Sequence, residues 1–198
     1  MQLKLHDVSK SYYKAVGVSK INLMIEEGKL YLFLGENGSG KSTTIKLISK
    51  VIFPNQQNGS ILNEFKKIIY LPDKRNYPKL IKTSLFLKYF LGKDYVKEKV
   101  IDTMKRYHLS DKPIGALSKG MVQKLGIIQC ILSNGDLYIF DEPTDGLDTI
   151  SIQIFKQDLQ NLLEHRKTII ISTHSKGIFK EITSKIYHFK EGRCNEKK

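Results

Sequence analysis

Cysteine is nearly absent from this chain: only Cys130 and Cys194 occur, and they stand far apart. Neither a disulfide framework nor a metal-binding spacing can be built from them, so reduced thiols in a cytoplasmic setting are expected. Long apolar runs are also missing, and none approaches the roughly 18–20 residues that cross a bilayer. The first residues, Met1-Gln2-Leu3-Lys4-Leu5-His6-Asp7, lack the apolar core of a secretion signal. Any membrane role would therefore need a partner. There is no internal repeat and no low-complexity linker. Acidic residues are in deficit, 20 against 33 Lys and Arg, which leaves a net charge of +13. Such a balance suits nucleic acid, an anionic membrane surface or a polyanionic nucleotide. The lysines are spread throughout, however, with only short pairs such as Lys66-Lys67 and Lys197-Lys198. Without an arginine-rich block or an aromatic–basic stripe, a solvated basic surface is the first reading, membrane attraction the second, and no nucleic acid is expected.

The 198 residues suit one domain with room for a small inserted subdomain. Gln2 to Val8, Ile21 to Ile25 and Leu30 to Leu34 read as strands, with Glu26-Glu27-Gly28-Lys29 as a hairpin turn before the last. Phe53-Pro54-Asn55 and Asn58-Gly59-Ser60 mark a loop, and Lys67 to Leu71 a further strand. Residues 80–91 and 95–108 carry helical spacing, with Val96, Val100, Met104 and Tyr107 on one face. A third helix follows Ser118, a suitable N-cap, through Leu125, Ile128 and Leu132. Three successive helices predict a helical subdomain over residues 75–135. Strands at Leu137 to Phe140, Thr168 to Ser172 and Lys185 to Phe189, with a helix over 150–164, then predict a largely parallel α/β core.

The most specific feature is Gly35-Glu36-Asn37-Gly38-Ser39-Gly40-Lys41-Ser42, placed between the apolar run Tyr31-Leu32-Phe33-Leu34 and an amphipathic stretch. Its glycines let the backbone wrap tightly and turn N–H groups inward, where side chains would block a polyphosphate. The N-terminus of the following helix adds its positive dipole end. Lys41 supplies a point charge for the β- and γ-phosphates, and the Ser42 hydroxyl is a ligand for Mg²⁺. Asn37, Ser39 and Thr43 complete the contact set. The pattern alone would occur by chance in roughly one per cent of chains this long, and the strand–loop–helix setting makes it rarer still. A nucleoside triphosphate is the expected ligand.

A second half of such a site follows at Leu137-Tyr138-Ile139-Phe140-Asp141-Glu142, an apolar strand ending in two acids. Ligands of open α/β sheets lie beyond the carboxyl ends of strands, so both acids should face the loop. Asp141 is placed to hold Mg²⁺, leaving Glu142 to orient and deprotonate an attacking water. His174, at the end of Ile171-Ser172-Thr173, is placed to hydrogen-bond a γ-phosphate.

These motifs, with Pro143-Thr144-Asp145-Gly146-Leu147-Asp148, resemble the ATP-binding subunit of an ABC transporter over essentially the whole chain. The decisive stretch, Leu117-Ser118-Lys119-Gly120-Met121-Val122-Gln123-Lys124-Leu125, is similar to the family's LSGGQ signature. The resemblance implies a single P-loop NTPase domain over 1–198. It would have a mainly parallel sheet, an N-terminal antiparallel β subdomain and the inserted helical subdomain. It further implies ATP and Mg²⁺ as ligands and ATP hydrolysis as the activity. Ser118 and Gly120 would meet the γ-phosphate bound to a second chain in a head-to-tail dimer, with Asp148 crossing that interface. The second chain would be another copy or a related ATPase subunit. Tyr12 matches the aromatic that stacks on adenine, with Tyr13 a near alternative. Separate transmembrane subunits would hold the protein on the inner face of the cell membrane.

The chain departs from the family pattern at three points. Lys119 and Met121 replace Gly and Gln of the best-known signature, which is similar to the exporter branch that includes antibiotic and bacteriocin self-protection transporters. Asp73 stands where the family has the glutamine that touches Mg²⁺ or the attacking water. An acid keeps an oxygen ligand but is shorter and charged. The segment between Lys41 and Asp73 is short, and the chain stops soon after Phe189, so no appended regulatory domain is expected. Two rival readings keep the ATPase chemistry: a soluble ATPase acting on nucleic acid or ribosomes, and an immunity or regulatory protein without a membrane partner.

Overall fold

A computed structural model describes residues 1–13, 15–55, 59–175 and 177–197; Asn58 of the expected loop and Lys198 of the tail lie outside them. The first strands are longer than their apolar runs. β1 (Gln2–Tyr12) and β2 (Ala15–Glu26) pair antiparallel, and bulges after Leu5 and Val8 break the alternation that a sequence pattern needs. The turn at residues 26–29 does not make a hairpin. β3 (Leu30–Leu34) is buried at all five positions and pairs with later strands of another sheet. A strand apolar on both faces needs cover on both sides, which a parallel sheet between two layers provides. Then come α1 (Lys41–Ile48) and β4 (Ser60–Asn63), an unexpected edge strand that completes the antiparallel sheet β2-β1-β4.

After β5 (Ile68–Leu71) the chain forms α2 (Thr83–Leu91), α3 (Lys97–Arg106) and α4 (Lys119–Ile131), the run of three helices that the spacing predicts. Residues 80–82 are not helical. They run alongside residues 112–115, where Ile114 N–H donates to Ile81 O (3.0 Å) and Gly115 N–H to Lys79 O (2.8 Å). That long-range pairing overrides the local helical pattern. Val100, Met104 and Tyr107 are buried as expected, but Val96 is the N-cap of α3 and stays exposed.

β6 (Leu137–Asp141), α5 (Thr149–Glu164), β7 (Thr168–Thr173), β8 (Lys185–Lys190) and β9 (Arg193–Lys197) complete the main sheet. Its order is β5-β6-β7-β3-β8-β9, parallel throughout except for β9 against β8. Alternate residues of β3 feed different cores. Leu30 and Leu32 pack with α2–α5, and Tyr31 and Phe33 pack with α1 and the antiparallel sheet.

One buried polar contact ties the helical segment to the sheet layer. Tyr107 is fully buried, and its hydroxyl donates to Asp158 Oδ2 of α5 (2.8 Å), while Arg106 Nη2 reaches Asp158 Oδ1 (2.8 Å). Burial and the neighbouring Asp158 carboxylate push the Tyr107 phenol far above its ordinary range, so it is a permanent donor. Tyr107→Phe leaves one carboxylate oxygen without this donor and should lower the unfolding free energy by about 1–2 kcal/mol. Urea denaturation measures this, and ATP affinity should not change.

Candidate nucleotide site

The loop at residues 35–40 leaves the carboxyl end of β3 and enters α1 through Gly40, whose φ of 108° is a conformation that side-chain-bearing residues avoid. A Cβ there would also lie 2.8 Å from Val18 Cγ1. No side chain caps α1, so its first N–H groups are left to a ligand. A cavity of about 250 Å³ is lined by Tyr12, Gly17, residues 36–43, Asp73 and Glu142. The fold therefore gathers the expected loop residues Asn37, Gly38, Ser39, Gly40, Lys41, Ser42 and Thr43 with Tyr12, Asp73 and Glu142. Gly35 and His174 line an adjoining cavity of about 570 Å³, together with His188 and Phe189.

Lys41 is only 4 % exposed; its ammonium donates to Gly35 O (2.7 Å) and Glu36 O (3.1 Å) and pairs with Glu142 Oε1 at 3.3 Å. On the other side of that carboxylate, His174 Nδ1 lies 3.3 Å from Glu142 Oε2. Ser42 Oγ donates to Asp141 Oδ1 (3.2 Å), and Ser172 Oγ donates to the same oxygen. The β6–β7 register, Asp141 opposite Ser172, makes this contact unavoidable.

The donor set fits the expected ligands. Ser42 and Asp141 present hard oxygens side by side, the kind Mg²⁺ takes. Among the described residues, Ser39 Oγ is buried without a hydrogen-bond partner, as a group that awaits a bound molecule would be. A triphosphate beside Asp141 and Glu142 needs a divalent cation to offset the repulsion.

The signature residues lie elsewhere. Ser118 caps α4 by accepting from Met121 N–H (3.3 Å), and a Cβ on Gly120 would fall 2.6 Å from Gly146 O. Neither lines the loop cavity. Asp148 caps α5 through Ser151 N–H (2.8 Å) and accepts from Lys124 Nζ (2.8 Å). These bonds, the lysine's above all, hold its carboxyl well below the usual carboxylate range. Sequence reasoning missed Ser172 and Gln123 as site residues. Gln123 donates to Pro143 O (2.6 Å) and Glu142 O (3.4 Å). The available signal was a glutamine on the apolar side of a helix, since a buried amide needs partners.

Comparison with known proteins shows the family and the fold. Residues 18–145 match the ABC transporter family. The chain is 32 % identical to the SkfA peptide export ATP-binding protein SkfE of Bacillus subtilis, over 98 % of this chain and 87 % of that protein. It is 30 % identical to the lantibiotic transport ATP-binding protein SrtF of Streptococcus pyogenes, over 87 % and 80 % respectively. In fold it is similar to the ATP-binding cassette MJ0796, solved as a dimer in a post-hydrolysis state with ADP and Pi. The TM-score is 0.87 at 23 % identity, covering 99 % of this chain and 98 % of that one. A phosphate loop facing two strand-end acids, in a chain matched to this family over most of its length, identifies the protein as a member of the ABC transporter family, an ATP-binding subunit with ATPase activity.

Proposed function

We propose that this chain hydrolyses ATP in a head-to-tail dimer and so drives export through separate transmembrane subunits at the inner face of the cell membrane. The observation that carries the hydrolytic reading is Glu142 at the carboxyl end of its strand, held between Lys41 and His174 at 3.3 Å from each. On binding, the triphosphate takes the ammonium of Lys41 away from Glu142. The freed carboxylate then accepts a proton from the attacking water, a role worth about 10²–10⁴-fold in rate. His174, more than half exposed, is free to swing onto the γ-phosphate and stabilise the charge that develops there. Ser42 and Asp141, with Asp73 in the cavity lining, would hold Mg²⁺, which supplies charge neutralisation on the β- and γ-phosphates. Tyr12 lines the same cavity, where an adenine ring would stack on it.

The dimer is supported by what the single chain leaves undone. Ser118 and Gly120 offer a hydroxyl and free N–H groups at the start of α4 but line no part of their own loop's cavity. A second copy would bring them to the γ-phosphate. Asp148, tied to Lys124, keeps the 143–148 loop in shape against that copy. Export is supported by two relatives, one a peptide export ATP-binding protein and one a lantibiotic transport ATP-binding protein. Because no helix among the described residues is long and apolar enough to cross a membrane, transport needs a membrane-spanning partner. Helices α2–α4 follow β5 and precede β6 in the chain and are the segment that would carry movement to that partner.

Three outcomes are expected. Glu142→Gln should bind ATP with near-normal affinity and lose about 10²–10³-fold in turnover, measured by phosphate release; near-normal turnover would reject the general-base role. Mixing a Lys41→Ala chain with a Ser118→Arg chain, each inactive alone, should restore about a quarter of wild-type activity. Random pairing makes about half the dimers mixed, each with one intact composite site. No recovery would reject the head-to-tail homodimer. Affinity capture from gently solubilised membranes should bring down a polytopic membrane protein in stoichiometric amount. Recovery only from the soluble fraction, alone or with ribosomes, would overturn the transport reading.

A further inference from the structure

Glu142 has a left-handed backbone, with φ at 48°, which a side-chain-bearing residue adopts only when its surroundings hold it there. Its N–H is fixed by Ser172, through O at 3.2 Å and Oγ at 3.0 Å. The next residue, Pro143, has no N–H to offer. Beyond it Glu142 O accepts from Asp145 N–H in a loose turn (3.4 Å), and one side chain reaches both carbonyls. Gln123 Nε2 donates to Pro143 O at 2.6 Å and lies 3.4 Å from Glu142 O.

The orientation of that amide is set from its other end. Arg75 Nη2 donates to Gln123 Oε1, and a guanidinium has no acceptor, so the oxygen must face Arg75 and the nitrogen the carbonyls. The same Nη2 donates to Asp73 O (3.2 Å), on the loop that leads from β5 towards α2. Arg75 fits there because α4 carries Gly126, three residues after Gln123 and on the same helix face. A Cβ at Gly126 would press into Arg75 Nη1 and lie 3.2 Å from Tyr77 Oη. Nη1 is itself buried with no hydrogen-bond partner. Leaving a cationic donor unpaired costs energy, so the arrangement is held by what Nη2 does.

We propose that Gln123 is a positioning residue for Glu142, and that Arg75 makes its grip depend on the Asp73 loop. The path Asp73–Arg75–Gln123–Glu142 links the loop at the base of the helical segment to the carboxylate that handles the attacking water. A shift of that loop withdraws Arg75, lets the Gln123 amide turn, and releases Pro143 O, leaving the Glu142 backbone to its Ser172 bonds and the long Asp145 N–H contact. The inference rests on the general-base reading of Glu142.

The test is steady-state ATPase kinetics on the full chain with Mg²⁺ and ATP, alongside thermal melting. Gln123→Ala should lower kcat about 10–100-fold and move KM less than about twofold, the signature of a lost positioning contact rather than lost binding. Gln123→Glu keeps the Arg75 partner but loses the N–H donors, and kcat should fall as far. Arg75→Ala should cost about 3–10-fold, and the Arg75→Ala/Gln123→Ala double variant should match Gln123→Ala alone, as residues acting in series do. Wild-type kcat in Gln123→Glu, fully multiplicative effects of Arg75→Ala and Gln123→Ala, or losses that track melting temperature would each overturn the proposal. In a Glu142→Gln background, Gln123→Ala should add less than about twofold; a larger additional loss would show that it acts elsewhere. Near-normal turnover of Glu142→Gln alone would sink the general-base reading and this role with it. A large loss in Glu142→Gln with unchanged Gln123→Ala would sink this role only.

Discussion

Three wholly buried strands, hydrogen-bonded in parallel, govern the rest of this structure. β3 lies between β7 and β8, with Leu34 opposite both Thr173 and His188, and β6 lies beyond β7 with Asp141 opposite Ser172. Because the strands run in one direction and in register, the residues that follow them emerge along a single edge. The phosphate loop, the acids at 141–142 and His174 meet there although they are distant in sequence. Alternate residues of the central strand feed two different cores, so a slip of one position would turn both the wrong way out.

Along that edge the charges are arranged around one carboxylate. Glu142 and Lys41 are both nearly buried, a setting in which removing one partner leaves the other uncompensated and is costly, about 3–5 kcal/mol. The pair is nonetheless looser than a direct hydrogen bond, since Lys41 gives its shorter contacts to Gly35 O and Glu36 O. An incoming phosphate can therefore replace the carboxylate without stripping the lysine of every partner. Polar groups shared between elements hold the frame around it: Ser172 serves both Asp141 and Glu142, and Lys124 ties α4 to the cap of α5.

What the sequence disclosed follows a physical divide. Residues whose chemistry dictates their type were legible: Gly40 needs its backbone angle, Lys41 its charge, and Asp141 and Glu142 their place at a strand end. The parallel core was legible because Leu30 to Leu34 and Thr168 to Thr173 have no solvent face. Elements defined by distant partners were not. β4 reads as turn composition and exists because β1 offers an open edge, and β9 exists because β8 does. Residues 80–82 gave up a helical pattern for pairing with 112–115. The turn at 26–29 resembled a hairpin because nothing local says that β2 and β3 belong to different sheets. Gln123 escaped notice for the same reason, its partners lying on another element.

Helix α1 has eight residues, fewer than a helix needs to persist in water unaided. It exists because Ile45, Leu47 and Ile48 are buried between the two sheets. The N–H groups that face a phosphate are thus a product of tertiary assembly, absent from any partly folded chain. A nucleotide that occupies them binds the folded state alone and acts as a folding ligand. At a hundred times its dissociation constant it would add about 2.7 kcal/mol of stability. A nucleotide bound there would therefore stabilise the fold as well as serve as substrate.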